Sequence, residues 1–284
     1  MGIENNSFGD VLIAGTVTFG VFGVVAAVIF FYMSSFSYEK SKDDSVKERT
    51  HKNRRFAQRL MAMFGAAALG VLASGYLFVL FKIGTIVRSD GETVNWTYFA
   101  FASAAWFLLG LLHSVFFRLD GYSRRATLGA LFLLPALLLA VAPLSPHADK
   151  RNVCFGFAVA LQAVSLFFIF WFEGIAGPLK RLYGWIVAAG VIIAFILYDT
   201  FFFIGYLNET ASAVVLSSRW NAQVAFLIAD FLAFVVSATL AFVLYRPKRE
   251  DEAAMVLPTA SAGLAVGPSG AGVYASVNGN EMSL

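Results

Sequence analysis

Within the apolar stretch from Trp220 to Tyr245 stands a single charged residue type, Asp230, with Gln223 seven residues before it and Ser237 seven residues after it. Seven residues are close to two helical turns, so the three side chains share one face of a helix. At 1.5 Å per residue Asp230 lies about 15 Å from the start of the stretch, near the middle of a bilayer. Lipid cannot satisfy such a group, so this face must look into protein. A carboxyl group there does one of two things: it donates and accepts hydrogen bonds as a neutral tie between helices, or it binds and releases a proton or a ligand. Asp199, beside Tyr198, lies about 10 Å below the membrane surface by the same count. With Gln162, Ser103, Tyr198 and Gln223, the two acids are expected to border one cavity in that half of the membrane, and Trp106 and Phe234 are further pocket candidates. His113 is expected to be an interfacial or satisfied core histidine. Other chemistry has little to work with. One cysteine, Cys154, excludes an intrachain disulfide, and His51, His113 and His147 form no metal-binding pattern. No nucleophile stands beside a base and no phosphate-binding loop is present, so the sequence reads as no enzyme and no metal protein.

The elements that must position these groups are transmembrane helices. With 59% hydrophobic residues, 14% charged residues and a mean hydropathy of +0.73, the chain lies outside the range of soluble domains. Apolar runs at about 9–33, 56–81, 95–117, 126–144, 153–172, 179–206 and 220–245 predict an all-α bundle of seven transmembrane helices. A short polar N-terminus, 1–8, precedes them, and a flexible tail, 246–284, follows. In the first run Gly15, Gly20 and Gly23 permit close helix approach. Ala66, Gly70 and Ser74 in the second form a small-residue stripe of the helix-packing kind. Pro135 is expected to kink the fourth.

Charge sets the expected orientation. With the N-terminus outside, only Lys82, Arg88, Lys150, Arg151 and Arg219 of the 21 lysines and arginines lie on the outer side, and the rest, dense in 34–55, lie inside with the tail. The glycosylation acceptors Asn5, Asn95 and Asn208 all fall outside in this arrangement.

Seven short-looped helices with the N-terminus outside resemble the microbial rhodopsins, and most specifically in the last two helices. That family has in its sixth helix a tyrosine-proline pair, an aromatic residue and a glycine, where this chain has Tyr198, Asp199, Phe202 and Gly205. Its seventh helix has an aspartate followed four residues later by the lysine that binds retinal. Asp230 matches the aspartate, and Phe234 occupies the lysine position. The family's arginine and carboxylate of helix three have no counterpart among Tyr98, Phe101 and Ser103. The resemblance therefore implies an opsin-related protein lacking the retinal-binding lysine, with no covalent retinal and no other cofactor. Rhodopsin-like G-protein-coupled receptors fit less well, because their Asn-Pro-xx-Tyr motif and outer disulfide are missing.

Three functions are consistent with these residues. The first is a non-catalytic receptor, sensor or scaffold, with a small ligand between helices three, five, six and seven and a cytoplasmic partner at 34–55 and 246–284. The second is a proton or small-solute transporter or channel using Asp230 and Asp199. A structural component of a membrane complex is a third. The partner expected is the lipid bilayer, an oligomer is compatible with the sequence, and no nucleic acid is expected. The sequence places the protein in a plasma membrane, an endomembrane or a viral envelope as a glycoprotein.

Overall fold

The structure is a computed structural model that describes residues 2–35, 46–87, 93–117, 122–145, 147–173, 178–207 and 215–245. It is all-helical apart from one two-stranded hairpin: α1 (Gly2–Ser35), α2 (Val46–Leu80), β1 (Ile86–Val87), β2 (Thr93–Val94), α3 (Trp96–Phe116), α4 (Tyr122–Val141), α5 (Ala148–Glu173), α6 (Pro178–Phe202), α7 (Val215–Asp230) and α8 (Ala238–Leu244). A π-helical segment, Phe231–Ser237, joins α7 to α8, so these three pieces form one continuous seventh helix. Another, Phe203–Leu207, extends α6.

Seven helices are long and apolar enough to cross a membrane, as their composition predicts. The protein is an integral, multi-pass membrane protein. Large apolar side chains such as Phe31, Phe157 and Phe167 are more than half exposed on the bundle surface, where lipid rather than protein covers them. Helix α3 is the centre: 61% of its membrane-length window is buried, against 22% for those of α1 and α5.

Several boundaries differ from the sequence reading. The helix of the first span already begins at Gly2, within the polar segment 1–8, and α2 begins at Val46, within the basic segment 34–55. Charged and polar residues tolerate helical backbone well, and hydropathy alone does not see a helix that continues beyond the bilayer. Helix α4 runs through Pro135 to Val141. Gly70 of the Ala66, Gly70 and Ser74 stripe approaches α1 through its backbone, its N lying 3.5 Å from where a Cβ on Gly23 would be, although a Cβ on Gly70 itself would meet open space. The buried positions of α2 include Gly65, Leu72, Gly75 and Tyr76. Gly20 likewise faces open space, whereas Gly15 lies against the Tyr76 ring and Gly23 against Leu69. The tail 246–284 and the acceptor Asn208 lie outside the described residues, and for Asn5 only the helical backbone is described.

The end of the bundle bearing β1 and β2, here the hairpin end, is closed by a turn in which Gly84 has φ +72° and the Thr97 hydroxyl donates to Ile83 O at 2.7 Å. Glycine is suited to that left-handed conformation. Arg151 at the same end is 1% exposed and donates from Nη1 to Ser145 O at 3.1 Å, joining the start of α5 to the preceding turn. At the opposite end the Arg59 guanidinium lies 5.4 Å from the Phe30 ring centre, joining α1 to α2.

Candidate functional site

The polar groups of the seventh helix face inward, as their spacing predicts: Gln223 is 3% exposed, and Asp230 and Ser237 are fully buried. Asp230 lies where α2, α3 and α7 meet. The hydroxyl of Tyr76 on α2 donates to Asp230 Oδ2 at 2.9 Å, and that of Tyr98 on α3 donates to the same oxygen at 2.7 Å. Tyr198 on α6 donates in turn to the Tyr98 hydroxyl at 2.9 Å. Two phenols from two helices thus converge on one carboxyl oxygen, and a third, on α6, is joined to it through Tyr98. Asp230 Oδ1 and Gln223 Nε2 have no hydrogen-bond partner among the described residues.

Tyr76 and Tyr98 were not legible as site residues. In a chain with 16% aromatic residues, nothing in spacing separates a tyrosine that packs from one whose hydroxyl reaches across the bundle. Phenol rings suit the task because the ring packs as an apolar body while the hydroxyl meets a distant partner. Here Tyr76 and Tyr98 contact each other edge to face at 5.2 Å, and Tyr198 stacks on Phe226 at 4.5 Å.

The expectation of one cavity bordered by both acids is corrected. Asp199 faces α5, where Gln162 Nε2 donates to its Oδ1 at 3.1 Å, and is not joined to Asp230. Asp199 follows Tyr198 in sequence, and a helix turns about 100° per residue, so adjacent side chains point to different neighbours. A cavity does lie between α3, α4, α5 and α6, lined by Phe99, Trp106, Phe132, Gln162, Phe195 and Tyr198, and neither acid lines it. Its free space of about 10 Å³ suits a single water molecule. Ser103 is occupied by its own helix, donating to Phe99 O at 2.7 Å. Ser165, one turn after Gln162, reaches Leu131 O of α4 at 2.7 Å.

Towards the opposite end the polar network stops at an aromatic layer. Trp106 stacks on Phe195 at 5.0 Å between ring centres and meets Phe234 edge-on at 5.2 Å, with Phe132 at 6.0 Å. Beyond it His113 is fully buried, its Nε2 2.9 Å from Ser237 Oγ and its Nδ1 2.9 Å from Leu109 O. It is a core histidine, joined to the seventh helix at the end of its π-helical segment, rather than interfacial. Groups that can exchange protons therefore stand on both sides of the aromatic layer, an arrangement the sequence spacing did not reveal.

Gly15 connects α1 to this site. A Cβ there would fall 2.5 Å from the Tyr76 ring, so Gly15→Ala is expected to displace the ring and break its bond to Asp230. The variant should lose about 1–2 kcal/mol of stability, measured by unfolding in bicelles, and in a Tyr76→Phe background, which keeps the ring but has no bond to Asp230, the loss should be smaller by the worth of that bond.

Comparison with solved structures places this arrangement. Halorhodopsin, a light-driven chloride pump, superposes with a TM-score of 0.64 over 88% of this chain and 98% of its own, at 16% identity. The chain has the microbial-rhodopsin fold. Thermophilic rhodopsin from Rubrobacter xylanophilus gives 0.57 over 83% of this chain and 99% of its own, at 18% identity. The light-driven proton pump of Coccomyxa subellipsoidea gives 0.54 over 81% and 96%, at 15% identity. No protein-family model matches the chain, and no curated protein matches it by sequence.

Within this rhodopsin fold the residues present do not suit covalent retinal. Phe234, 1% exposed, offers no amine at the position where the resemblance puts the lysine.

Proposed function

We propose that the protein carries protons across the membrane down their gradient, independently of light, with Asp230 as the group that binds and releases the proton. The observation that carries this reading is the asymmetry of Asp230. Both phenolic donors bond Oδ2, so Oδ1 is left to take a proton without disturbing either bond. Tyr198, Tyr98 and Tyr76 form a hydrogen-bonded chain through which the charge left by proton release is spread over α2, α3 and α6.

The fold agrees with this reading, since two neighbours are named as light-driven pumps, one for chloride and one for protons. Without a retinal-binding amine the light step is missing, and what is left is movement down a gradient. Asp199, half-buried and bonded to Gln162, is a stage nearer the hairpin end. The positive charges and the three acceptor asparagines favour the hairpin end as the outside. A ligand-binding receptor is the weaker reading, because the cavity between the helices holds about one water molecule and not a small ligand.

The test is proton flux into liposomes containing the full chain, in the dark and in light, beside Asp230→Asn. Wild type is expected to conduct equally in both conditions, and the variant to fall to the rate of protein-free vesicles. Wild-type flux no greater than that of empty vesicles would remove the translocation reading and leave Asp230 as a tie between helices.

A further inference from the structure

The hydrogen bonds around His113 contain one more contact than a neutral histidine has protons to fill. The chain runs from Leu109 O to His113 Nδ1 at 2.9 Å, from His113 Nε2 to Ser237 Oγ at 2.9 Å, and from Ser237 Oγ to Val187 O at 3.1 Å. Both ends are carbonyl oxygens, which only accept. Each of the three links needs a hydrogen, but a neutral imidazole supplies one and the serine hydroxyl one. With His113 neutral, Nδ1–H serves Leu109 O, and Ser237 must choose between His113 Nε2 and Val187 O. With His113 as the imidazolium, Nε2–H donates to Ser237 Oγ and the serine is released to donate to Val187 O, so every link is made.

The location gives this choice a mechanical consequence. Ser237 ends the π-helical segment Phe231–Ser237, an irregularity common at functional positions. It also sits at a close approach of α6, where a Cβ on Gly190 would fall 3.1 Å from Ser237 Cβ. The bond from Ser237 to Val187 O is thus a tie from the seventh helix to α6, and through His113 to α3.

Among residues whose side chains are described, the charged and titratable groups nearest His113 on the elements packed around it are few, and Lys180 and Arg181 precede Val187 on α6 by about two turns. Phe132 of α4 stacks on its ring at 5.9 Å between centres, with Arg125 and Arg124 about two turns away towards the opposite end. Helix α6 presents Val187, with Tyr198 and Asp199 about three turns towards the hairpin end. The seventh helix presents Ser237, with Asp230 about two turns to one side and Tyr245 about two turns to the other. On α2, Met61 packs in the same apolar cluster as Leu112, with Arg59 and Arg55 nearer the helix start. On α3 itself Phe117 stacks on His113, and Tyr98 lies about four turns away.

We propose that His113 is a second proton-binding residue, across the aromatic layer from Asp230, and that its charged form completes the tie from α3 through Ser237 to Val187 of α6. Its place in a proton route rests on the reading of Asp230 given above, whereas the tie does not.

Nitrogen-15 NMR of histidine-labelled full-length protein in lipid nanodiscs tests the tie, with the His113 signals assigned by their loss in His113→Gln. Lowering the pH from about 8 to about 4 is expected to convert His113 from the Nδ1–H tautomer to the doubly protonated ring. The carbonyl carbon of Val187 should shift in step, and Ser237→Ala should abolish that shift. A His113 that never gains its second proton over this range, or a Val187 shift of equal size in Ser237→Ala, would overturn the tie. In liposomes His113→Gln is expected to lose the flux that depends on Asp230. Unchanged flux would remove His113 from the route and leave Asp230 in it. No flux from wild type would remove both from a route, and the titration would then uphold or overturn the tie by itself.

Discussion

Asp230→Ala is expected to lower the stability of the bundle by about 2–4 kcal/mol. The substitution removes the acceptor of two buried phenols, Tyr76 and Tyr98, and Tyr198 loses its anchored partner. A buried donor left without an acceptor costs about 1–3 kcal/mol in a soluble protein. Between membrane helices the measured worth of a hydrogen bond is smaller, about 0.6 kcal/mol on average, because a separated helix still finds other partners. Two direct bonds and the loss of a side chain from a packed site together give the range stated. Asp230→Asn should cost far less, about 1 kcal/mol, because its amide oxygen can accept both phenols and only the new NH2 goes unmatched. The two variants therefore separate roles: alanine removes tie and proton site together, and asparagine removes mainly the proton site. Equilibrium unfolding in bicelles checks this, and a double-mutant cycle with Tyr98→Phe assigns the share of one bond. Equal stability of wild type and Asp230→Ala would mean that the phenol bonds contribute nothing to holding the helices.

The second large effect is expected at Gly110. A Cβ there would lie 2.9 Å from Gly129 Cα, 3.0 Å from Leu128 O and 3.1 Å from Phe132 Cβ. Two of these contacts are backbone atoms of α4, which cannot rotate away as a side chain tip can. Gly129 is equally tight from the other side, with Phe107 2.8 Å from where its Cβ would be. Gly110→Ala must push α3 and α4 apart and is expected to cost about 1–3 kcal/mol, and Gly110→Val more than that. Because Phe132 stacks on His113 and lies against Trp106, a shift of α4 would also disturb the aromatic layer. Gly70→Ala is the control: with open space at its Cβ, it should leave stability unchanged or raise it by up to about 1 kcal/mol. Equal losses at Gly110 and Gly70 would show that the α3–α4 approach is not a tight contact.

These two residues show where sequence reading succeeds and where it ends. The seven helices and the inward face of Gln223, Asp230 and Ser237 follow from hydropathy and helical spacing. Lipid imposes them: a run of about 20 apolar residues must be a helix, and a carboxyl group in it must face protein. The rhodopsin fold was implied instead by the resemblance of Tyr198, Phe202, Gly205 and Asp230 to that family's last two helices.

Partners across the bundle were decided only by the tertiary structure. Nothing local says that Tyr76 and Tyr98 meet Asp230, that Asp199 turns to Gln162, or that His113 reaches Ser237. Such contacts depend on the rotation of each helix about its axis, and a rotation of one residue, about 100°, changes every partner while leaving hydropathy the same. The small-residue stripe of α2 met the same limit. Ala66, Gly70 and Ser74 have the spacing of a packing face, yet spacing alone did not show that the tighter approaches of α2 lie at Gly75, against Phe101 of α3, and at Tyr76, against Gly15 of α1.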